Sequence, residues 1–565
     1  MKNEIKKRID RNYLKNNLRA NLLYILSSVA LLMVVTPWYS HIVVMGVGMF
    51  LFQFVFTVLF QIAVFSQVSC LSDNAKKAPR YVKILSGAST AGICSFHIVD
   101  RIAAVVRYRE IINAFAARHL SLHIDFCILF GIVIALLSLA SGFIVYTLTV
   151  LILKTVTGVL RESFCSFSRA ERNIYAIVTF VLISFVCGSF FIGKAFWGND
   201  LPLDVLYTSD SSILVRENAY LSLMHSENDL RQPLFAVFAA PFVGMGYAFA
   251  LPFSFVSPVV TPLCMNIVQV LMLAAGNLML ADMLSSDRRE RICIVLFTSV
   301  TYTTILFSVM MEQYIVCYFW MMFAVYSAVK NKRASGLSIC ASGGTLLTGV
   351  TLLPLVHDFT DKKDNGLKQI AIEMGKCVSL FIVLLLSFGR IDVMLSSFVQ
   401  TQNLSRFAGG ESFSVRLKQY LSFISSCFAA PETKVVNNYS LQLSESNYAS
   451  VSILGIILLA VCLVSVILNR KDKLAVIAGL WLCFSFLLIA VIGWGSVENG
   501  EILYSLYFCW AFIVLLFRFL DWISEKLGCV WFTMTVGGGM AAVLCLLNYS
   551  GIKDLWRFAS AYYPL

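Results

Sequence analysis

Long apolar runs separated by short polar stretches dominate the chain. A run of about 20 apolar residues crosses roughly 30 Å of hydrocarbon as a helix, and a helix satisfies its own backbone polar groups. The period-two alternation of a transmembrane barrel is absent from the sequence. The pattern therefore predicts an all-α polytopic membrane protein with about 11–13 crossings, the clearest of which lie near 20–36, 42–66, 126–153, 173–196, 235–255, 259–283, 292–310, 313–329, 371–389, 450–468, 474–494, 502–520 and 528–547.

One long polar stretch, residues 197–234, interrupts this pattern, and we call it the acidic loop. A polar connection of this length in an otherwise apolar chain carries function more often than it serves as a plain linker. It ends at Pro233, where the next apolar run begins, and its charged residues are Asp200, Asp204, Asp210, Arg216, Glu217, Glu227, Asp229 and Arg231.

Basic residues predict the orientation of the spans. Residues 1–19 are rich in lysine and arginine and directly precede the first apolar run, which places the N-terminus in the cytoplasm. Further basic stretches at 76–83, 154–172, 330–333 and 470–473 are typical of cytoplasmic loops. The acidic loop and a second polar stretch at 391–449 then lie on the extracytoplasmic side.

Two places disturb this alternation. If both runs at 235–255 and 259–283 cross, the basic stretch SSDRRER at 285–291 falls outside. We therefore expect one of the two runs to dip into the membrane and return near the prolines between them. The glycine-rich stretch 341–354 is predicted to be re-entrant or interfacial for the same reason.

The pattern divides the chain into four parts. They are an N-terminal transmembrane region (1–172), a core that contains the acidic loop (173–390), a second extracytoplasmic loop (391–449) and C-terminal transmembrane helices (450–565). The second loop contains FSVRLKQYLSFISSCF, in which Phe413, Leu417, Leu421 and Ile424 recur at helical spacing. This segment is predicted to lie as an amphipathic helix on the outer membrane surface.

Composition agrees with the membrane class. The chain is 59% hydrophobic and only 13% charged, which is about half the charge of an ordinary soluble protein. The net charge of +12 does not indicate nucleic-acid binding, because the basic residues cluster beside apolar runs. Most of the 16 cysteines lie inside apolar runs and no C-x-x-C occurs, which favours buried packing over a disulfide framework.

Several common catalytic motifs are missing from the sequence. There is no G-x-x-x-x-G-K-[ST] loop to cradle a nucleotide phosphate, so the chain is not an ATP-driven pump by itself, and there is no H-E-x-x-H. His119 and His123 are four residues apart with Asp125 nearby, which is a weak indication of a metal site. No motif requires a cofactor, and a divalent cation that helps to hold a phosphate is left open.

The acidic loop offers a different chemistry. A carboxylate at a membrane surface removes a proton from a hydroxyl or amine, and nearby arginines hold a phosphate by charge-assisted hydrogen bonds. A transferase needs these parts when its donor is a sugar on a lipid phosphate, because cations offset the charge that builds on the leaving phosphate. The loop therefore predicts a transferase at the membrane surface.

The order of these features resembles the GT-C integral-membrane glycosyltransferases, which include protein O-mannosyltransferases and lipid A aminoarabinose transferases. The hexapeptide DLRQPL at 229–234 is similar to the family's D-x-H-P-P-L at the start of a helix. Asp210-Ser211 lies where the family has an Asp-Glu pair, and Glu312 is similar to its second external acid. The chain departs from the family in that Ser211 replaces a glutamate and Arg231 a histidine. The resemblance covers about 173–330.

The resemblance implies a GT-C-like bundle with a catalytic base at Asp210. The residues expected to bind substrate share a charge or a ring and lie in predicted external segments or, for Tyr504, near the start of the predicted span 502–520: Arg216, Glu217, Asp229, Arg231, Glu312, Arg406, Arg416, Glu498 and Tyr504. No metal ligand is assigned.

Structural roles stay open for the same residues. Asp210 in a Ser-Asp-Ser-Ser run is also a good helix N-cap, and Asp229 and Arg231 can pair to anchor a helix start. The helix dipole favours Glu312 at a helix start. Lipid headgroups attract Arg406 and Arg416, and an interfacial aromatic belt accounts for Tyr504.

The function expected from the sequence is transfer of a sugar from a polyprenyl-phosphate donor to an extracytoplasmic acceptor by a single inverting displacement. The acceptor class is a cell-envelope glycan, a lipid or a protein, and membrane lipids are the remaining expected partners. The protein is expected to be a multi-pass protein of the cell membrane. Two alternatives are a flippase or transporter of a lipid-linked saccharide, which would carry acids at mid-membrane depth, and a polysaccharide polymerase or ligase.

Overall fold

A computed structural model describes residues 11–36, 38–67, 75–110, 113–114, 125–216, 218–223, 232–330, 335–352, 366–387, 408–409, 411–495 and 500–565. Helices dominate them, and we number these in chain order: α1 Arg11–Val35, α2 Trp38–Gln67, α3 Arg80–Arg107, α4 Phe126–Ser166, α5 Arg169–Ile192, α6 Ser211–Arg216, α7 Phe235–Ala250, α8 Val260–Leu284, α9 Arg288–Val300, α10 Tyr302–Val309, α11 Tyr314–Val329, α12 Ser335–Thr345, α13 Gly366–Ser387, α14 Phe413–Ser426, α15 Ser446–Ala449, α16 Ile453–Leu468, α17 Lys473–Ser485, α18 Ser505–Leu527 and α19 Phe532–Tyr562.

A single short hairpin in the described part of the chain departs from the all-α prediction. Strands β1 (Thr433–Val436) and β2 (Ser440–Leu443) pair antiparallel in the second loop. Asn437 and Asn438 make the turn with φ of 52° and 60°, a conformation that asparagine tolerates better than most residues. The remaining elements are a π-helical extension of α17 (Phe486–Ile492) and the 3-10 segments Lys194–Phe196, Leu251–Phe253, Leu347–Thr351 and Glu501–Tyr504.

The helices agree with a multi-pass membrane protein. Within the described ranges, eight helices are long and apolar enough to span a membrane, and nine if the bent pair α9 and α10 forms one span. Five further apolar stretches of 10–17 residues lie in α1, α2, α11, α13 and α16 of the described chain: Asn21–Val35, Leu51–Val64, Tyr314–Val329, Met374–Ser387 and Ile453–Leu468.

Ionic side chains pair at one end of the bundle, which we call the charged end. Arg291 near the start of α9 donates from Nε to Glu171 near the start of α5 at 2.8 Å, and it lies 3.5 Å from Asp282 near the end of α8. Asp282 also accepts hydrogen bonds from Tyr326 of α11 and from two serines near the end of α4. Lys330 lies 3.8 Å from the same carboxylate. The basic stretches predicted to be cytoplasmic at 161–172, 288–291 and 330 therefore share one end.

Polar caps fix where helices start at the charged end. Ser168 and Glu171 form a reciprocal capping box at the start of α5. Asp287 accepts from two backbone N–H groups at the start of α9, and Asp472 caps α17 while pairing with Arg518 at 2.6 Å. Short polar stretches therefore both terminate the apolar helices and tie neighbouring helices together.

Helix α7 begins inside the bundle. The Leu234 N–H donates to the Gly344 carbonyl of α12 at 2.8 Å, and Trp320, in the second turn of α11, donates to the Phe238 carbonyl at 3.4 Å. Farther along α7, Gly246 packs against Cys264 near the start of α8. Both predicted runs, 235–255 and 259–283, form helices. Because α7 starts within the bundle and α8 continues to the charged end, the SSDRRER stretch that follows α8 lies at the charged end with the other basic stretches.

The glycine-rich stretch 341–354 also interrupts the regular pattern. It contains the end of α12 and the 3-10 segment Leu347–Thr351, which folds back so that Gly349 packs against the Ser342 backbone. A Cβ at Gly349 would lie 2.7 Å from the Ser342 carbonyl oxygen. The chain turns back on itself here, in line with the predicted interruption.

Helix α14 forms as predicted, and the C-terminal half of its apolar face packs against other helices, whereas Phe413 at its start is exposed. Leu421 and Ile424 are buried, and the Leu421 backbone touches Gly455 of α16. The Tyr420 hydroxyl lies 2.9 Å from Ser485 Oγ of α17. A helix that buries one face against neighbours has the same periodicity as one that lies on lipid, so the sequence pattern fits both.

The N-terminal region packs directly on the core. Helices α3 and α7 approach so closely that a Cβ at Gly92 would lie 2.0 Å from the Gly244 carbonyl oxygen. Helix α3 also packs along α4, and Arg101 of α3 donates to the Val35 carbonyl at the end of α1 at 2.9 Å. Helix α3 therefore holds α7 in place, a role that the sequence left unassigned.

Substituting Gly92 by alanine is expected to destabilise the protein by about 1–3 kcal/mol, because backbone on the facing helix must move to admit the methyl group. Gly87→Ala in the same helix is the matched control, since a Cβ there meets nothing within 4 Å. The control should be neutral or stabilising, by up to about 1 kcal/mol. Thermal unfolding in detergent compares the two, and equal midpoints would contradict the close contact.

Candidate functional site

The first half of the acidic loop is packed onto the end of the bundle opposite the charged end, which we call the loop end. The Tyr207 N–H donates to the Leu441 carbonyl of β2 at 2.6 Å, and Leu441 N–H donates back to Val205 at 2.9 Å. Tyr207 and Tyr302 of α10 are buried and their hydroxyls lie 2.5 Å apart. These contacts hold the loop, and α6 within it, in one position.

Asp210 and Glu312 come together at this end, although they are far apart in the chain. Asp210 directly precedes α6, and the next residue, Ser211, donates its hydroxyl to Glu312 Oε1 at 3.2 Å. Glu312 is only 1% exposed, and its Oε2 has no hydrogen-bond partner among the described residues. Two of the residues predicted for the site therefore belong to one cluster.

The environment of Glu312 favours its neutral form. Burial raises the pKa of Glu312 to about 8, and the negative charge of Asp210 acts in the same direction. Hydrogen bonds from Ser211 and from the backbone at Asp210 and Gln313 oppose the shift but do not cancel it. Glu312 is therefore mostly protonated at neutral pH.

Glu312 lies in the short turn between two apolar helices that the sequence predicts, and this turn follows a broken helix and is buried inside the protein. Helices α9 and α10 meet at Thr301 with a bend of 58°. Thr301 caps α10 through a bond from Thr304 N–H, and Asn266 of α8 donates to the Ser308 carbonyl at 2.8 Å. The chain then turns at 310–313 before α11. Glu312 lies in this turn, beneath the acidic loop.

Polar side chains that sequence reasoning missed surround the pair. The Tyr220 hydroxyl of the acidic loop donates to Gln269 Oε1 at 3.3 Å. Burial raises the pKa of Tyr220 well above its ordinary value, and the charge of Glu312 adds to the effect. Gln269 Nε2, Gln313 Oε1 and Ser212 Oγ are buried without hydrogen-bond partners in the described structure. The sequence could have suggested Gln269 as a site residue, because a side-chain amide inside an apolar run is unusual.

Aromatic rings line the side of the site formed by the start of α18. Tyr314, two residues after Glu312, packs against Tyr507 and Tyr504 with ring centroids 5.0 and 6.1 Å apart. Trp494 donates its indole N–H to the Tyr504 hydroxyl at 2.9 Å. Tyr504, predicted to bind substrate, is therefore part of the same neighbourhood as Glu312.

The predicted cationic residues that the structure describes lie at the loop end. Arg216 ends α6 and is exposed. Arg416 of α14 donates from Nη1 to the Ile492 carbonyl at 3.2 Å and packs beside Gly493, next to Trp494. The remaining predicted residues lie outside the described residues: Glu217, Asp229, Arg231, Arg406 and Glu498.

The chain matches no protein-family model, no curated protein and no solved structure. The cluster around Asp210 and Glu312 and the residues near it are therefore the main indication of its function.

The described residues contain no group of three or more His, Cys, Asp or Glu arranged to hold a metal ion. His119 and His123 lie outside the described residues, and Asp125 pairs with Arg109 and accepts from Asn113 at 3.2 Å. The weak metal indication at these positions therefore gains no support.

A large apolar cavity lies between the N-terminal helices and the core. Its volume is about 570 Å³, and Lys154 and two threonines are the polar part of a lining that is otherwise apolar. Leu223, three residues after Tyr220 in the acidic loop, forms part of the wall. The other walls come from α1, α3, α4, α7, α12 and α13, among them Leu31, Ile93, Ile152, Val237, Leu337 and Leu380.

Proposed function

We propose that the protein is a membrane glycosyltransferase of the GT-C type. It transfers a sugar from a polyprenyl-phosphate donor to an acceptor on the extracytoplasmic side. The observation that carries the proposal is the pairing of Asp210 with Glu312 at the end of an apolar helical bundle, where Glu312 is 1% exposed and accepts a hydrogen bond from Ser211, the residue after Asp210. Burial and the charge of Asp210 raise the pKa of Glu312, and a carboxyl with a raised pKa beside a second carboxyl is typical of acid–base catalysis.

In the proposed reaction Asp210 is the general base. It takes the proton from the acceptor hydroxyl or amine while the acceptor atom attacks the anomeric carbon of the donor sugar. The bond from the anomeric carbon to the phosphate oxygen breaks, and its electron pair leaves with the polyprenyl phosphate. One displacement inverts the anomeric configuration, and no covalent enzyme intermediate forms.

Neutral Glu312 makes this site compatible with a phosphate. A second carboxylate beside Asp210 would repel the donor's phosphate, whereas a protonated carboxyl adds no charge and still donates a hydrogen bond. Glu312 Oε2 lacks a partner among the described side chains and backbone groups, which leaves that oxygen for a substrate.

Two further features support a lipid-linked donor. Arg216 and Arg416 provide guanidinium groups at the loop end, and guanidinium groups suit phosphate by their fork of donors. The apolar cavity beside Leu223 has the volume of a ligand site and a lining that suits a hydrocarbon chain. The headgroup would then sit at the loop end and the chain among the helices.

The pH dependence of transfer tests the proposal. The pKa of Glu312 is raised to about 8, so Glu312 is neutral below this pH and becomes charged above it. We expect kcat/KM for a polyprenyl-phosphate sugar to fall by about tenfold per pH unit above pH 8, as one proton is lost. Glu312→Gln keeps the neutral shape, so it should retain activity at pH 7 and lose this alkaline limb.

Radiolabelled sugar on a short polyprenyl phosphate, supplied to the protein in proteoliposomes, provides the assay. The product should be a glycoside with inverted configuration and free polyprenyl phosphate. Glu290→Gln, a change to a partly buried glutamate at the charged end, controls for pH effects outside the site and should keep the alkaline limb. A carrier would move the labelled lipid without forming any glycoside, and that result would refute the transferase.

A further inference from the structure

Glu501 is a second buried carboxyl at the loop end that the proposed mechanism does not use. It is 1% exposed, and it begins the 3-10 segment that leads into α18. Its Oε2 accepts a hydrogen bond from the Tyr448 hydroxyl of α15 at 3.3 Å. Its Oε1 has no hydrogen-bond partner within the part of the chain that the structure describes.

This carboxyl adjoins the acidic loop. Gly500 packs against Thr208, two residues before Asp210, so closely that a Cβ at Gly500 would lie 2.4 Å from Thr208 Oγ1. Three residues after Glu501, Tyr504 packs on Tyr314, which follows Glu312 by two residues. The segment that carries Glu501 therefore touches both chain segments that supply the proposed catalytic pair.

A second buried polar atom, four residues after Glu501, also lacks a partner among the described residues. Ser505 is fully buried, and its Oγ makes no hydrogen bond to any described residue. Most buried polar atoms in proteins are hydrogen-bonded, so two buried atoms without partners among the described residues, one in the 3-10 segment and one at the start of α18, require an explanation. A ligand that brings hydroxyl groups would satisfy both.

The neighbouring rings favour a carbohydrate as that ligand. Trp494 and Tyr504 are only partly buried and are held together by the indole–hydroxyl bond. Flat aromatic faces pack against the apolar C–H face of a sugar ring, while a carboxylate accepts hydrogen bonds from its hydroxyl groups.

We propose that Glu501, Tyr448 and Ser505 form a subsite for the hydroxyl groups of a saccharide acceptor. The identification of this saccharide as the acceptor rests on the proposed glycosyl transfer, because it follows from the position of the subsite next to the segment that carries the base Asp210. It narrows the acceptor from a glycan, lipid or protein to a molecule that carries a sugar.

Saturation-transfer NMR on the full-length protein in detergent tests this subsite without requiring transfer. The probes are the methyl glycosides of glucose, galactose, mannose and N-acetylglucosamine. At least one should bind the wild-type protein, and Glu501→Gln should weaken that binding by about tenfold, since an amide nitrogen in place of a carboxyl oxygen cannot accept a hydrogen bond from a sugar hydroxyl. Tyr448→Phe should weaken it less. Glu432→Gln, an exposed change in the second loop, is the matched control and should bind like wild type.

A purely structural role for Glu501 predicts a different result. If the carboxyl only anchors Tyr448, then Glu501→Gln and Tyr448→Phe should lower the unfolding temperature alike and leave glycoside affinity unchanged. That outcome, or the absence of glycoside binding to the wild-type protein, overturns the subsite. If Glu501→Gln does not fold, Ser505→Ala replaces it in the same comparison and should weaken binding.

The two proposals fail in distinguishable ways. Glycoside binding that depends on Glu501, without transfer from any polyprenyl-phosphate sugar, keeps the subsite and refutes the transferase. Transfer in which Glu501→Gln leaves the KM of a saccharide acceptor unchanged keeps the transferase and refutes the subsite.

Discussion

Asp210→Asn is expected to lower the rate of sugar transfer by roughly 10²–10⁴-fold, the contribution that a positioned general base makes to a displacement. The substitution removes the proton acceptor and keeps the size of the side chain. Sugar transfer from a labelled polyprenyl phosphate in proteoliposomes measures the rate. The KM for the donor should change much less than kcat, because the base acts on the acceptor in the transition state.

Asparagine also separates the two roles that the sequence leaves open for Asp210. The residue directly precedes α6, where a side chain can cap the helix. Asparagine caps a helix about as well as aspartate, so Asp210→Asn should leave the unfolding temperature nearly unchanged if Asp210 is only a cap. Loss of transfer without loss of stability identifies the base.

Asp200→Asn is the control for Asp210→Asn. Asp200 is an exposed carboxylate in the same loop, ten residues earlier in the chain. Its replacement removes the same charge from the loop and should keep transfer within about twofold of wild type, because an exposed charge is screened by water and salt. Equal losses in the two variants would mean that loop charge, and not a base at Asp210, supports the reaction.

The apolar pattern predicted the helices well because each span is set by its own sequence. Apolar runs with polar caps form helices wherever they lie, and the basic stretches at 161–172, 288–291 and 330 meet at one end. The irregularities at 235–283 and 341–354 were also visible in the sequence, because charge and glycine content broke the alternation there. Their geometry depends on contacts such as Leu234 with Gly344, which no local pattern encodes.

The site was predicted less completely than the helices. Asp210 and Glu312 could be proposed because the segments that carry them resemble those of a known transferase family, and Tyr504 because the resemblance extends to its segment. Tyr220 and Gln269 are distant in sequence from one another, and only the folded bundle brings them together. Glu501 was not among the predicted site residues, because a sequence does not show that a carboxyl in a short polar segment is buried.

The amphipathic segment at 413–426 shows a second limit of sequence reasoning. Its apolar positions were identified correctly, but a helical face gives no information on whether lipid or protein covers it. Here α16 and α17 cover its C-terminal half, through contacts at Leu421 and Tyr420. Residues 411–449 of the second loop are consequently a packed part of the fold that borders the candidate site.

Arg291→Met is expected to destabilise the protein by about 3–5 kcal/mol, the cost of removing one partner from a buried ion pair. The loss leaves the carboxylates of Glu171 and Asp282 short of their common cation in a site from which water is largely excluded. It also removes the packing of the guanidinium over the Phe167 ring, whose centroid lies 4.5 Å away. Unfolding in detergent by heat or denaturant measures the change.

Arg288→Met and Glu171→Gln show whether the buried pair is the cause. Arg288 starts the same helix but is exposed, so its replacement should cost less than about 0.5 kcal/mol. Glu171→Gln combined with Arg291→Met should be less destabilising than the sum of the single changes, because the double variant no longer buries the unpaired Glu171 carboxylate. Strict additivity would show that Arg291 stabilises the fold by other contacts.

The Arg291→Met variant should also affect transfer, because α9 and α10 join the ionic cluster at the charged end to the turn that carries Glu312. Its transfer rate should be lower than that of the wild type, while the alkaline limb should stay near pH 8.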